Sequence, residues 1–230
     1  MKNNADCSSA SCELLKDIPE VLFVTGIGTD VGKSWATGWL AREAAKVTGE
    51  PVITQKMIQT GNHDMSEDIA VHREVMGCGL LPRDLDHTTA PLILSYPASP
   101  DLASRIDGVD IDYSVATGAT KKLLREYRHV IVEGAGGLMV PLKGRYITLD
   151  YLKEQKLPVA VVINGQLGSI NHTLLTLEML RMNCVKVYAV VYNPHFDRDR
   201  IICDDTRVYV RSWLRDKLPD AKYIEMPANI

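Results

Sequence analysis

The chain has 230 residues, of which 24% are charged and 46% are hydrophobic, and its formal net charge at pH 7 is -3. At about 150 residues per domain, this length predicts one large domain that buries a core without disulfides or a structural metal. The near-neutral charge argues against a protein that coats nucleic acid, and it gives no reason to expect a membrane surface as partner. The longest apolar runs are also far shorter than the ~20 residues that span a bilayer.

The cysteines and the first residues indicate the compartment. The five cysteines are odd in number and contain no CxxC pair, which argues against a disulfide framework or a zinc knuckle and favours a reducing cytoplasm. Residues 1–18 are polar and lack the apolar run of a signal peptide. We expect them to form a flexible leader before a single domain over 19–230. The cysteines are Cys7, Cys12, Cys78, Cys184 and Cys203.

From residue 21 onward, short apolar runs alternate with longer helical patterns. The predicted strands are 21–25, 52–57, 130–132, 159–163, 186–192 and 222–226. The predicted helices are 34–47, 67–76, 111–127, 170–182 and 204–216, the third with Asp110 as its N-cap. The stretch 77–105 has few helix or strand cues, and we expect a long functional loop there.

The composition of these strands predicts the fold class. They are almost wholly apolar instead of alternating, which suits a parallel sheet covered on both faces. Their alternation with helices predicts an α/β domain with a doubly wound, mostly parallel sheet. Ligands of such sheets bind beyond the carboxyl ends of the strands, so the loops that follow the strands are expected to form the site.

The first strand leads into the glycine-rich segment 26–34, GIGTDVGKS, which is followed by a helix. Glycines let successive backbone N–H groups turn towards phosphate oxygens, and the helix N-terminus adds partial positive charge. Lys33 can reach the β- and γ-phosphates, while the Ser34 hydroxyl can ligate Mg²⁺. The usual pattern has its first glycine at the position of Ile27, so a loop that starts at Gly26 is one residue longer. The segment predicts a P-loop NTPase-like nucleotide site, and a plain glycine-rich turn is the alternative.

Charged residues also follow the second and third strands. Lys56 ends the second strand, where a lysine that is only solvated is the alternative to a ligand-binding one. Glu133 ends the third strand just before a turn with three glycines in four positions, which indicates an acid beside a bound ligand. Asp68 lies in the first turn of a helix, where an acid that only interacts with the helix dipole is the alternative. The turn 168–172, GSINH, opens a helix after the fourth strand, so its N–H groups can either bind an anion or be capped by Ser169 or Asn171.

Together these segments resemble the ATP-dependent dethiobiotin synthetase family over roughly residues 21–227. The resemblance is carried by FVTGIGTDVGKS, the turn from Lys56 to Gly61, VEGAGGLMVPL and LPVAVVINGQLGSINHTLLT. That family shares the longer phosphate loop. The last two motifs are the specific ones, because many ATPases have a phosphate loop.

The resemblance implies an enzyme that uses CO₂ and ATP to carboxylate 7,8-diaminononanoate and close it to dethiobiotin. It also implies Mg²⁺ as cofactor and a cytoplasmic homodimer. The implied catalytic residues are Lys33, Lys56 and Thr60, and the metal-binding residues are Ser34, Asp68 and Glu133. The implied nucleotide-binding residues are Gly28, Thr29, Asp30, Val31, Gly32, Lys33, Ser34, Glu133, Asn193 and Pro227. The implied diamine-binding residues are Lys56, Thr60, Gly168, Ser169, Ile170 and Asn171, the last four acting across the dimer interface.

The chain departs from the family pattern at several positions. Asp30 stands where many relatives have Glu, Met57 replaces the proline that usually follows the lysine, and Asp101 replaces a usual histidine. Tyr209 is the candidate for the interfacial tyrosine of the family. Relatives also continue through another short helix after the position of Pro227.

Two other functions on the same scaffold stay open. An ATP-dependent amidoligase, such as cobyrinic acid diamide synthase, predicts a glutamine-hydrolysing domain or partner, and we expect no such domain within 230 residues. A partitioning ATPase usually has an extra lysine early in its phosphate loop, where this chain has Gly26, Ile27 and Gly28. Such an ATPase also commonly ends in a basic or amphipathic tail, which we do not expect here.

Overall fold

The computed structural model describes residues 13–228. Its strands are β1 (Val21–Gly26), β2 (Val52–Lys56), β3 (Gln59–Thr60), β4 (Ile93–Leu94), β5 (His129–Glu133), β6 (Pro141–Lys143), β7 (Tyr146–Ile147), β8 (Val159–Asn164), β9 (Val187–Asn193) and β10 (Lys222–Glu225). Its helices are α1 (Lys33–Thr48), α2 (Glu67–Met76), α3 (Pro82–Leu85), α4 (Pro100–Asp107), α5 (Tyr113–Leu123), α6 (Thr148–Gln155), α7 (Ser169–Met182) and α8 (Arg200–Lys217), with a 3₁₀ turn at Pro194–Phe196.

Six of the strands form one parallel sheet in the order β10-β9-β8-β1-β5-β2. The central strands are buried along their whole length, as their apolar sequences predict. One face packs against α1, α2 and residues 13–18, and the other packs against α4 to α8. The prediction of a doubly wound, mostly parallel α/β domain is therefore confirmed.

Two predictions for the segment before β5 are wrong. The third predicted helix is shorter than 111–127: it covers Tyr113–Leu123, and Asp112 instead of Asp110 is its N-cap, accepting a hydrogen bond from the Ser114 amide. The stretch 77–105 contains α3, β4 and most of α4 instead of one long loop. Both α3 and α4 begin with a proline, a residue that the first helical turn tolerates.

The expectation of a flexible leader does not hold for residues 13–18, while residues 1–12 lie outside the described residues. Leu15 and Ile18 are buried against the sheet. The Lys222 ammonium donates to the Leu14 carbonyl at 2.6 Å and also pairs with Asp17. The sequence did not predict these contacts, because residues 1–18 are mostly polar and, within 13–18, only Leu15 and Ile18 are buried in the core.

Within residues 13–228, no helix is both long enough and apolar enough to cross a membrane. The three cysteines in that range, Cys78, Cys184 and Cys203, are free thiols.

Candidate active site

A cavity of about 760 Å³ opens at the carboxyl edge of the parallel sheet. The loop after β1, the end of β2, the first turn of α2, the end of β5 and the segments after β9 and β10 all contribute to its wall. These are the places where a doubly wound sheet binds its ligands. The predicted site residues in the wall are Thr29, Asp30, Gly32, Lys33, Ser34, Lys56, Thr60, Asp68, Glu133, Asn193 and Pro227.

The phosphate loop requires glycine where it enters α1. Gly32 has φ 86° and is the N-cap of the helix, a left-handed conformation that costs other residues energy. A Cβ atom built on Gly32 would lie only 2.2 Å from Nδ2 of Asn193. That amide donates to the Val31 carbonyl at 3.1 Å, and the Lys33 ammonium donates to the Gly28 carbonyl at 2.9 Å. These two hydrogen bonds to loop carbonyls fix the conformation of the phosphate loop and leave Lys33 in the cavity wall.

Lys56 forms the centre of a cluster of charges in the same wall. Its ammonium lies 2.5 Å from Asp68 Oδ2 and 2.7 Å from Glu133 Oε1, and it also donates to the Gly134 carbonyl at 3.2 Å. The Ser34 hydroxyl contacts the same two carboxylates, at 2.7 Å from Asp68 and 3.1 Å from Glu133. Strand pairing places Lys56 directly opposite Glu133, which explains how two residues 77 positions apart meet.

Burial and neighbouring charges set the protonation states of this cluster. Burial disfavours the ammonium of Lys56, but the charges of Glu133 and Asp68 outweigh that effect and raise its pKa above the ordinary value. Burial alone would raise the pKa of Glu133, whereas Lys56 and a hydrogen bond from His72 hold it well below the usual range. Burial lowers the pKa of Lys33, and Glu133 offsets this only in part. Lys56 and Glu133 thus form a charged pair at neutral pH.

Ser34, Asp68 and Glu133 supply one hydroxyl and two carboxylates, which are the oxygen ligands that Mg²⁺ prefers. Among residues 13–228, no group of three or more His, Cys, Asp or Glu side chains has the arrangement of a metal site built from protein alone. Mg²⁺ in nucleotide sites is commonly held by one or two carboxylates together with phosphate oxygens and water. The donors therefore fit a magnesium ion that arrives with a nucleotide.

The predicted diamine-binding turn lies outside this cavity. Ser169 is buried, and its hydroxyl donates to the Asn164 carbonyl at 2.5 Å, whereas Gly168 and Asn171 are exposed. Ile170 is half-buried. The structure therefore separates this turn from Lys56 and Thr60 of the same chain, and its assigned role stays a prediction.

Gly28 and Val31 of the phosphate loop also lie outside the cavity wall. Each contributes a backbone carbonyl that accepts a hydrogen bond, from Lys33 and Asn193 respectively. The Val31 side chain is buried against the face of the sheet that α1 covers. These two residues hold the shape of the loop, and their predicted contact with nucleotide stays a prediction.

The departures from the family pattern have separate structural settings. Asp30 has φ 56°, a conformation that Asp tolerates better than most residues. The backbone N–H of Met57 donates to the Glu133 carbonyl at 2.9 Å, a bond that a proline cannot make. Asp101 lies in the first turn of α4 and accepts a hydrogen bond from the Gly144 amide. Tyr209 is exposed on α8 and lies outside the cavity wall.

Several residues of the cavity were not predicted from the sequence. They include His195 and Phe196, whose rings pack edge to face at 5.1 Å between centroids. Gln59 also lines the cavity and accepts a hydrogen bond from Ser66. Because these residues follow strands β9 and β2, their position after a strand end is the only sequence signal that could have found them. The other unpredicted wall residues are Trp35, Ile58, Val71, Ala135, Gly136, Met226 and Ala228.

Comparison with solved structures supports the fold. A protein described as a plasmid partition protein of Borrelia burgdorferi B31, bound to AMPPNP, superposes with a TM-score of 0.51 at 14% identity. The match covers 91% of this chain and 87% of that one. At that identity the likeness supports the fold alone and leaves activity undecided.

Sequence comparison identifies the family. A family model described as an AAA domain matches residues 20–212. The ATP-dependent dethiobiotin synthetase BioD 2 of Pasteurella multocida is 42% identical over 89% of this chain and 95% of its own length. BioD 2 of Haemophilus ducreyi is 40% identical over 90% of this chain and 98% of its own length, and BioD of Chlorobaculum tepidum is 43% identical over 85% and 82%. The chain therefore belongs to the ATP-dependent dethiobiotin synthetase family.

Proposed function

We propose that the protein is a ligase that carboxylates 7,8-diaminononanoate with CO₂ and closes it to dethiobiotin, with conversion of ATP to ADP and phosphate. The observation that carries this proposal is the position of Lys56, which Glu133 and Asp68 hold in the same cavity wall as Lys33 and the phosphate loop. Family membership supplies the substrate class. This arrangement supports a reaction in which ATP phosphorylates a second molecule bound beside Lys56.

The reaction has three steps in this proposal. A neutral amine of the diamine captures CO₂ as a carbamate and releases a proton. A carbamate oxygen attacks the γ-phosphorus of ATP, which forms a mixed carbamic-phosphoric anhydride and releases ADP. The neighbouring amine then attacks the anhydride carbon, closes the five-membered ureido ring and releases phosphate. When bound, Mg²⁺ would neutralise charge on the phosphates, and Ser34, Asp68 and Glu133 would hold it.

The side chains of the cavity stabilise negative charge and position the reactants. Lys33 and Lys56 place two cations at the wall where the transferred phosphoryl group gains charge. The raised pKa of Lys56 keeps it protonated at neutral pH, so it acts as an electrostatic group and not as a proton acceptor. Thr60 supplies a half-buried hydroxyl at the diamine side. Rigid binding of both amines makes ring closure intramolecular, which lowers the barrier by about 7–11 kcal/mol at ideal alignment.

Phosphate release from ATP tests this function. We expect release to require both the diamine and bicarbonate, and to be unaffected by glutamine. An amidoligase would instead respond to glutamine or ammonia, and a partitioning ATPase would show no response to the diamine. Absence of diamine stimulation in the purified, folded protein would overturn the proposal.

We further propose a homodimer in which the turn Gly168–Asn171 of one chain binds the diamine in the cavity of the other. Gly168 and Asn171 of the turn are exposed, and the turn lies outside the cavity of its own chain, which supports this proposal. The apolar side chains of Leu167 and Leu175 near the turn are 86% and 63% exposed, as expected of a surface that a second chain covers. The free thiols support a reducing, cytoplasmic location.

A mixing experiment tests the dimer. Chains with Lys56→Met and chains with Asn171→Asp should each be inactive as pure dimers. A mixed dimer regains one intact site, so mixing after mild dissociation should restore about a quarter of the wild-type activity. Activity that stays at the level of the separate variants would contradict a shared site.

A further inference from the structure

Glu133 divides its two carboxylate oxygens between the cavity and a buried polar chain. Oε1 faces Lys56 and Ser34, whereas Oε2 lies 2.7 Å from Nε2 of His72. His72 is fully buried and does not line the cavity. His72 lies four residues after Asp68, one turn further along α2, so both side chains are on the same face of the helix. Asp68 lines the cavity, whereas His72 is buried behind the cavity wall.

Three buried side chains, Asp84, Arg73 and Thr54, form a series of hydrogen bonds that ends at Nδ1 of His72. Asp84 holds the Arg73 guanidinium with two bonds of 2.8 and 2.7 Å. Arg73 donates to the Thr54 hydroxyl oxygen at 2.8 Å, which leaves the Thr54 proton free for Nδ1 of His72 at 2.9 Å. An imidazole that accepts at Nδ1 carries its proton at Nε2. In this arrangement the Nε2–H of His72 donates to Oε2 of Glu133.

We propose that His72 is a positioning residue for Glu133. Its Nε2–H holds Oε2 away from the cavity, so that Glu133 presents Oε1 alone to Ser34, Lys56 and the magnesium side of the site. The series Asp84, Arg73 and Thr54 selects the imidazole tautomer that makes this bond. This inference rests on the proposed function, because it assigns a purpose to the orientation of a carboxylate in that site.

The burial of these hydrogen-bonded polar side chains supports a role in orienting Glu133. Thr54, His72, Arg73, Asp84 and Glu133 are all 98% or more buried. Buried polar groups of this kind add little net stability compared with a well-packed apolar core, and partly satisfied ones are costly. Partners that orient a metal-binding side chain typically change metal affinity or activity 10- to 100-fold when they are removed.

Three variants and one control test the proposal. His72→Leu removes the donor, His72→Gln keeps an N–H near the position of Nε2, and Thr54→Val removes the hydroxyl that selects the tautomer. The control is His129→Gln, because His129 is also buried, lies at the opposite end of β5 from Glu133 and bonds the Pro19 carbonyl instead. Binding of Mn²⁺ in the presence of a non-hydrolysable ATP analogue is measured by titration calorimetry, besides the dependence of phosphate release on Mg²⁺.

We expect His72→Leu to weaken Mn²⁺ binding and to lower kcat by about 10- to 100-fold, with the KM for the diamine unchanged. His72→Gln should recover most of both losses, Thr54→Val should fall between, and the control should match the wild type. In ¹⁵N-labelled protein the His72 imidazole should show the Nε2–H tautomer, and Thr54→Val should change that signal.

The proposal is wrong if folded His72→Leu keeps Mn²⁺ binding and kcat within twofold of the wild type. It is also wrong if His72→Gln is no better than His72→Leu, since a purely structural role would give that result. If His72→Leu does not fold, His72→Gln, Thr54→Val and the imidazole signal decide. If the wild type shows no diamine-dependent turnover, the proposed function fails, while Mn²⁺ binding and the tautomer still test His72.

Discussion

Two lysine-centred clusters lie at opposite edges of the same parallel sheet. At the carboxyl edge, Lys56 ends β2 and contacts Asp68 and Glu133 in the cavity wall. At the amino edge, Lys222 begins β10, pairs with Asp17 and donates to the Leu14 carbonyl. The side chains of Lys56 and Lys222 are 6% and 17% exposed, so both are largely removed from water.

The difference between the clusters lies in what covers each lysine. Lys222 is covered by residues 13–18 and by the ring of Tyr188, whose centroid lies 4.2 Å from its nitrogen. Lys56 is covered on one side by protein and borders the cavity on the other. The same ammonium group therefore fastens a chain segment in one place and is available to a ligand in the other. Activity and stability should accordingly respond to different lysines.

Lys56→Met gives the largest expected effect. Removing this cation should lower kcat on the order of 10³-fold, because it stabilises charge that develops at the γ-phosphate. Lys222→Met is the matched control and should keep the wild-type kcat and KM. Diamine-dependent phosphate release measures both, with circular dichroism to confirm folding. Near-normal turnover of Lys56→Met would contradict the assigned role.

Asp68→Asn should have the next largest effect. It removes one negative charge from the magnesium side while leaving an oxygen of similar position, so the Mg²⁺ concentration for half-maximal rate should rise about 10- to 100-fold. Asp17→Asn makes the same change beside Lys222 and should leave the Mg²⁺ requirement unaltered. Equal Mg²⁺ titrations for Asp68→Asn and the wild type would exclude Asp68 from the metal site.

Lys222→Met should lower the free energy of unfolding by about 1–3 kcal/mol, since it removes hydrogen bonds from a charged donor and a cation–π contact. Equilibrium unfolding in urea measures the change. Faster proteolysis near residues 13–18 should accompany it, because Lys222 holds the Leu14 carbonyl. An unchanged unfolding midpoint would show that the other contacts of the segment suffice.

The two clusters also differ in how well sequence predicts them. Sequence predicts Lys33, Lys56 and Glu133 because each lies at or just after the end of a strand, and the carboxyl ends of parallel strands meet at one side of the sheet. The contact between Lys222 and Leu14 joins residues 208 positions apart and has no local pattern. Residues 13–18 therefore looked like a leader, although tertiary packing buries two of their side chains.

Helix α4 and His72 show the same limit. The few helix and strand cues in 77–105 indicated a loop, yet Pro100 occupies the first turn of a helix whose Ala103 packs in the core. His72 looks like an ordinary helix residue, and its role depends on Thr54 and Glu133 from two strands. Periodicity reports which face of an element is buried, but it does not report which polar groups meet inside.

Asp17→Asn gives the smallest expected effect and tests the amino-edge cluster by pH. The hydrogen bond from Lys222 lowers the pKa of Asp17, desolvation partly offsets this, and the charge of Lys222 adds to the lowering. A carboxyl whose pKa is lower in the folded state stabilises the fold above its unfolded pKa of about 4, and this contribution is lost as the pH falls through the folded value. The Asp17 side chain is 75% exposed, so the contribution is no more than about 1 kcal/mol.

The difference in unfolding free energy between wild type and Asp17→Asn should therefore be largest near pH 7, shrink below pH ~4 and shrink in 1 M salt. A difference that grows on acidification would show that Lys222 does not stabilise the charged form of Asp17.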